Sequence, residues 1–175
     1  LCTTDDPADS LEYHIALSQD KTFDVKVLPA FRPDRAMNVE KPDFADYIAK
    51  LSEASGVEIT DIVSLCDALE RRIEFFDALG CRTADHGFDD YVAFDETKSA
   101  AQSISIADVT LKRALAGEKI DSEMAKIYKG ALIRFFGREY VKHGWVMQLH
   151  FGAMRSPNTV MKNLLGPDTG YDAIH

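Results

Sequence analysis

Apolar positions along the chain change their spacing several times, and the changes mark out strands and helices. The opening LCTTDD reads as a strand end running into a turn at Pro7, after which Ser10 is placed to N-cap a short helix, LEYHIALS. FDVKVLPAFRP returns to strand character through Val25, Val27 and Leu28, and Pro33 stops it. From Phe44 the spacing becomes helical: Phe44, Tyr47, Ile48 and Leu51 predict a helix ended by Gly56. A second helix, starting near Thr60 or Asp61, gathers Ile62, Leu65, Leu69, Ile73 and Phe76 on one face and closes at Gly80. CRTADHG, between two glycines, reads as a strand. Residues 89–103 carry no clear period and are expected to form a loop. ISIADVTLKRALAG then predicts a helix ended by Gly117. A longer helix follows from about Asp121 to Lys142, burying Met124, Ile127, Tyr128, Ala131, Leu132 and Phe135. Gly144 releases WVMQL as a strand, and a last helix starts near Asn158 and ends before GPDTG.

The order is therefore β, α, β, α, α, β, α, α, β, α. Residues 1–175 read as a single segment, with a helical insertion over about 93–143. Strands separated by helices imply an α/β fold with a parallel sheet, because a parallel neighbour is reached only through a crossover. Each strand carries its polar groups at its C-terminal end: Thr3, Thr4, Asp5 and Asp6; Arg32 and Asp34; Asp85 and His86; Gln148, His150 and, just beyond, Arg155. Ligands bind at that edge in parallel α/β architectures, so these scattered groups are expected to converge.

Composition narrows the classes. A chain of 175 residues with 46% hydrophobic content fills the core of one ordinary domain. The net charge of −9 is spread along the chain, which argues against nucleic acid as a partner. Cys2, Cys66 and Cys81 form no CxxC pair and fit reduced thiols in a cytoplasmic protein. There is no run of about 18 apolar residues for a membrane span. The opening LCTTDDPADS has neither an initiator Met nor a basic, apolar leader, and it reads as the start of a piece of something longer.

Several candidates have two readings on residues alone. Arg32 before Pro33 suits either an anion or a structural ion pair with Asp34 or Asp5. His86 in DHG is a turn-stabilising or a functional histidine, with little to separate the two. His150 favours function, because it ends an apolar strand. His14 and His143 are expected to be solvated, Asp5-Asp6-Pro7 resembles an ordinary turn, and GPDTG lacks the Lys and helix start of a phosphate loop. The pairs Phe75-Phe76 and Phe135-Phe136 read as core. Arg, His and Asp without a nucleophile point to acid–base or metal-assisted chemistry on a small anion.

Five stretches carry a resemblance. CTTDDPADSLEYH, LPAFRPDRA, CRTADHG, GWVMQLHFGAMRSPNT and LLGPDTGYDAI, in that order across residues 2–174, resemble the uronate isomerase family, a branch of the amidohydrolase superfamily. The QLHxGAxR and GPDTGxD blocks are the most specific. The resemblance implies a distorted (β/α)₈, TIM-like barrel, of which this chain holds about strands four to seven, with extra helices between the sixth and seventh. It implies an enzyme interconverting D-glucuronate with D-fructuronate, and D-galacturonate with D-tagaturonate, through a cis-enediol. Arg32 and His150 carry over as catalytic residues, and Arg32, His86, Arg155 and Asp5 as substrate-binding or supporting ones. The family's divalent metal, usually zinc, is held by a His-x-His pair and an Asp-x-Arg aspartate. No HxH occurs here, so the metal ligands are expected outside this chain. The chain alone is then expected to be inactive and to associate, with another copy or with the missing barrel half. RSPNT departs from the Asn-rich run of many members. Competing readings are a metal-dependent hydrolase of the same superfamily and a non-catalytic half-barrel that acts by association.

Overall fold

Four chain segments run side by side in one direction, and the backbone hydrogen bonds show how. A computed structural model describes residues 1–88, 98–167 and 169–174. Between the first two segments the donors alternate: Leu28 N to Leu1 O, Thr3 N to Leu28 O, Ala30 N to Thr3 O, Asp5 N to Ala30 O and Arg32 N to Asp5 O. Phe31 N then donates to Thr83 O, and Asp85 N to Phe31 O. That brings in β1 (Thr83–Phe88), which pairs in parallel with β2 (Val146–Phe151) from Thr83 opposite Val146 to Phe88 opposite Phe151. The expected parallel layer is present, but FDVKVLPAFRP is not a continuous strand. Its pairing is confined to bridges at Leu28 and Phe31. Pro29 between them has no N–H for a ladder, and Val25 upstream is exposed. A short antiparallel pair, β3 (Ala153–Met154) with β4 (Ala173–Ile174), was not expected from the pattern.

The helices are α1 (Glu12–Gln19), α2 (Asp34–Met37), α3 (Phe44–Ser55), α4 (Ile62–Ala78), α5 (Ala100–Leu115), α6 (Ser122–His143) and α7 (Thr159–Leu165). The starts of α4 to α7 carry side-chain caps, since the first N–H groups of a helix need acceptors. Asp61 accepts from Ser64 N at 2.8 Å, Asp121 from Met124 N at 2.9 Å and Asn158 from Met161 N at 3.0 Å. Ser10 does not cap α1. Leu11 holds that position in the left-handed region at φ 54°, its side chain buried. The loop expected over 89–103 is also shorter than its pattern: residues 89–97 lie outside the described residues, and 100–103 are already helical. Ser99 and Gln102 form a reciprocal capping box there, an S-x-x-Q signal that the weak apolar period obscured. Helices α5 and α6 fill the interval between β1 and β2; of the insertion expected over 93–143, residues 93–97 lie outside the described residues.

Helices α4 and α6 bury aromatic side chains around Phe31. Its ring meets Phe76, Phe136, Tyr140 and Trp145 with centroids 5.1 to 6.3 Å apart, the tilted and edge-on contacts aromatic quadrupoles favour. On α6 the buried stripe runs through Tyr128, Leu132, Phe136 and Tyr140, so Phe136 and not Phe135 is the fully buried member of that pair. Arg72 is buried on α4 and has no carboxylate partner among the described residues. Its guanidinium donates to the carbonyls of Pro7 (2.6 Å), Asp9 (2.7 Å) and Ala54 (3.1 Å) and lies over the Phe75 ring. Those bonds tie the turn after the first segment to the helix layer. Cys2, Cys66 and Cys81 are free thiols, and burial pushes Cys66 up to about 12 and Cys81 to about 11. Among the described residues no helix is long and apolar enough to cross a membrane.

Candidate active site

The period of two along β1 sorts its polar residues. Ala84 and His86 are fully buried against the helix layer, while Asp85 and Gly87 fall on the opposite face. Arg32 reaches that face from the second segment, and His150, level with Gly87 in the register, from β2. These side chains interlock with that of Asp34. Arg32 Nε donates to Asp34 Oδ2 at 2.9 Å, Nη1 lies 3.5 Å from Asp85 Oδ2, and Nη2 lies 3.3 Å from His150 Nε2. The other ring nitrogen, His150 Nδ1, lies 2.8 Å from Asp85 Oδ1, close enough for an ion pair but off the line of a hydrogen bond. A guanidinium has only N–H to offer, so Nε2 is the acceptor and the ring proton of a neutral His150 belongs on Nδ1, facing Asp85.

The remaining sequence candidates are placed differently. His86 is wholly buried, shares a hydrogen bond with the Tyr140 hydroxyl at 3.1 Å and stacks on Phe88. Burial, with the nearby Arg32 and His150 adding to it, pushes His86 down to about 4, so it is neutral at physiological pH. It packs beneath the cluster and does not line the adjoining cavity. The Asp5 side chain turns away from Arg32 to accept from Thr3 Oγ1 at 2.7 Å. His14, expected to be solvated, is only 10% exposed and contacts the same hydroxyl at 2.7 Å. His143 is likewise largely covered, 3.7 Å from Asp77. Arg155 holds Asp172 of the GPDTGYD stretch at 2.8 Å. It meets Arg32, Asp34, Gly87, Lys126 and Lys129 around a cavity of about 430 Å³, large enough for a small organic anion.

This donor set does not suit a divalent cation. Asp34, Asp85 and His150 all face the fixed positive charge of Arg32, and among the described residues no three His, Cys, Asp or Glu side chains are arranged to hold a metal ion. In the sequence Asp85 is visible only as a polar strand end, whereas Asp34 is also a possible ion-pair partner of Arg32, and the structure shows that pair. Tyr140 and Gly87 gave no signal, one being an ordinary helix-face aromatic and the other a strand bracket.

Comparison with known proteins places this arrangement. The family model for glucuronate isomerase matches residues 1–175. The chain belongs to the glucuronate isomerase family. Among its relatives, the uronate isomerase of Caldanaerobacter subterraneus subsp. tengcongensis is 51% identical, covering 98% of this chain and 36% of that protein. The uronate isomerase of Caldicellulosiruptor bescii is 48% identical, covering 100% and 36%. The crystal structure of uronate isomerase from Thermotoga maritima superposes with a TM-score of 0.84 at 33% identity, over 100% of this chain and 37% of that one. Glucuronate isomerase from Caulobacter crescentus shares the fold, with a TM-score of 0.81 at 24% identity. This family member thus spans little more than a third of the length of the relatives it matches, 36%.

Proposed function

We propose that residues 1–175 form about the fourth to seventh strands of a distorted (β/α)₈ barrel in the amidohydrolase superfamily, and one wall of an active site that isomerises D-glucuronate to D-fructuronate and D-galacturonate to D-tagaturonate. The observation that carries this is the Arg32–His150–Asp85 network at the C-terminal strand edge, beside a cavity of about 430 Å³ ringed by Lys126, Lys129 and Arg155.

Aldose–ketose isomerisation removes the proton on C2, whose electron pair becomes the C1–C2 double bond of an enediol while the carbonyl pair moves onto O1; O2 then becomes the carbonyl, its hydroxyl proton passing to O1, and C1 takes a proton. The site must hold a carboxylate, stabilise negative charge on the enediolate oxygens and move a proton between C2 and C1. Arg32 presents a planar fork suited to either anion. An incoming anion that draws Arg32 Nη2 away would free the lone pair of His150 Nε2, and Asp85 stands ready to stabilise the ring once it is protonated. His86 supports this set from below through β1. Arg155, held by Asp172, adds positive charge at the cavity rim. The divalent metal, zinc in this reading, belongs to ligands outside these residues, and every step above uses this chain's own groups.

The free thiols fit a cytoplasmic protein. The exposed Val146, Leu149 and Phe151 of β2 and Val160 and Leu164 of α7 fit a face covered by the rest of the barrel or by another copy. In a full-length protein carrying this segment, Arg32→Met is expected to lower kcat/KM for glucuronate by about 10²–10³ with the melting temperature preserved. Near-normal turnover would remove Arg32 from the site. The 175-residue chain alone is expected to form no ketose from glucuronate and to be associated by light scattering. Ketose formation, or a monodisperse monomer, would contradict the respective half of that expectation.

A further inference from the structure

Gly87 sits mid-strand, where a glycine weakens pairing and packs nothing. Its backbone does not explain the choice, because its φ is not among the positive values of this chain's glycines. Space does. A Cβ at this position would lie 2.9 Å from Arg32 Nη2, 3.1 Å from His150 Nε2 and 3.2 Å from Asp34 Oδ2. Arg32, His150 and Asp34 therefore meet over the bare Cα of residue 87. The peptide N–H adds a second hold, donating at 3.3 Å to both oxygens of the Asp34 carboxylate that orients Arg32.

We infer that Gly87 is a positioning residue of this site: its missing side chain is the slot that lets Arg32 and His150 approach within 3.3 Å, and its N–H anchors the carboxylate behind Arg32. The inference rests on the isomerase reading for its effect on turnover, though not for its effect on geometry. The atoms a Cβ would strike are the far ends of flexible side chains, so an added methyl displaces the cluster and leaves the strand in place. Glycine here sets how the cation and the imidazole are presented to one substrate, and small shifts of such groups are costly in rate.

The test is Gly87→Ala in the full-length protein, read three ways. The expected result is a melting temperature close to that of the unsubstituted protein, and kcat/KM for glucuronate lower by at least about tenfold, mostly in kcat. A crystal structure of the variant should show Arg32 and His150 separated beyond hydrogen-bond range, about 3.5 Å. A merely structural glycine would lower the melting temperature and leave that contact intact. An undisturbed contact with unchanged kcat/KM overturns the inference. If the unsubstituted full-length protein does not isomerise uronates, the isomerase reading fails, and the crystallographic distance alone still decides the role of Gly87. If Gly87→Ala does not fold, Gly87→Ala with Arg32→Met decides: recovery of folding confirms the crowding at Arg32, and continued failure overturns it.

Discussion

Helix α4 and the stretch from β2 through α7 are both rich in branched apolar residues, and they dispose of them in opposite ways. Helix α4 buries Ile62, Leu65, Leu69, Ile73 and Phe76, whereas α7 buries nothing and β2 leaves Val146, Leu149 and Phe151 exposed. Local pattern is similar in kind; what differs is whether this chain supplies an opposing face. The Arg32–His150 contact spans this divide, joining the packed region to the uncovered one. Half of the candidate site therefore stands on packed elements of this chain, and half on a strand whose apolar side chains are left exposed.

The comparison can be broken with one substitution made twice. In denaturant unfolding of the 175-residue chain, Leu69→Ala is expected to cost about 2–5 kcal/mol, because Leu69 is wholly buried and its removal leaves a cavity. Leu164→Ala, at a side chain 71% exposed, should cost under about 0.5 kcal/mol. Equal costs would mean that the two regions are not different in kind. Acid sharpens the contrast further. Folding lowers the His86 pKa from 6.5 to about 4, so between those values the unfolded chain binds a proton that the folded chain refuses. That stability is fully present above pH 6.5 and is lost as pH falls towards 4, a difference on the order of 3 kcal/mol for a shift of this size. Urea unfolding at a series of pH values should show the slope, and His86→Gln should flatten it. A slope unchanged in that variant would place the acid sensitivity in the exposed region instead. A more modest cost is expected from Tyr140→Phe, about 1–2 kcal/mol, because it removes the partner of His86 Nε2 when Nδ1 already has none among the described residues. A cost near zero by the same measurement would show that the bond does not brace β1.

Much of this fold was legible because spacing and caps act locally. Gly56, Asp61, Gly117, Asp121, Gly144 and Asn158 each mark a helix end within two residues of where it falls. The failures have tertiary causes. Ser10 looked like the cap of α1, but burial of Leu11 fixes that turn. The apolar run before Pro29 has strand propensity without a continuous neighbour to pair with. His14 looked solvated because nothing local announces that Thr3 lies within 2.7 Å of it. At the site, polar strand ends and the family resemblance were enough to single out Arg32 and His150. Which face of β1 each residue takes was not legible, so His86 drew notice that the geometry gives to its neighbours Asp85 and Gly87. The tie made by Arg72 was equally invisible, since its acceptors are backbone carbonyls 18 to 65 residues away.

The parallel pairing of β1 with β2 also fixes an order of events at the ribosome. Thr83 and its partner Val146 are 63 residues apart. At ordinary elongation rates roughly 3–13 s pass between their syntheses. Through that interval the nascent chain has the first two segments, α3, α4 and β1 in hand, with one side of β1 still open while α5 and α6 are being made. His150 can enter the cluster only at the end of that wait, after Arg32, Asp34, Asp85 and Gly87 have been synthesised. Chaperone occupancy of nascent chains stalled before residue 146 would therefore be expected to centre on that open edge.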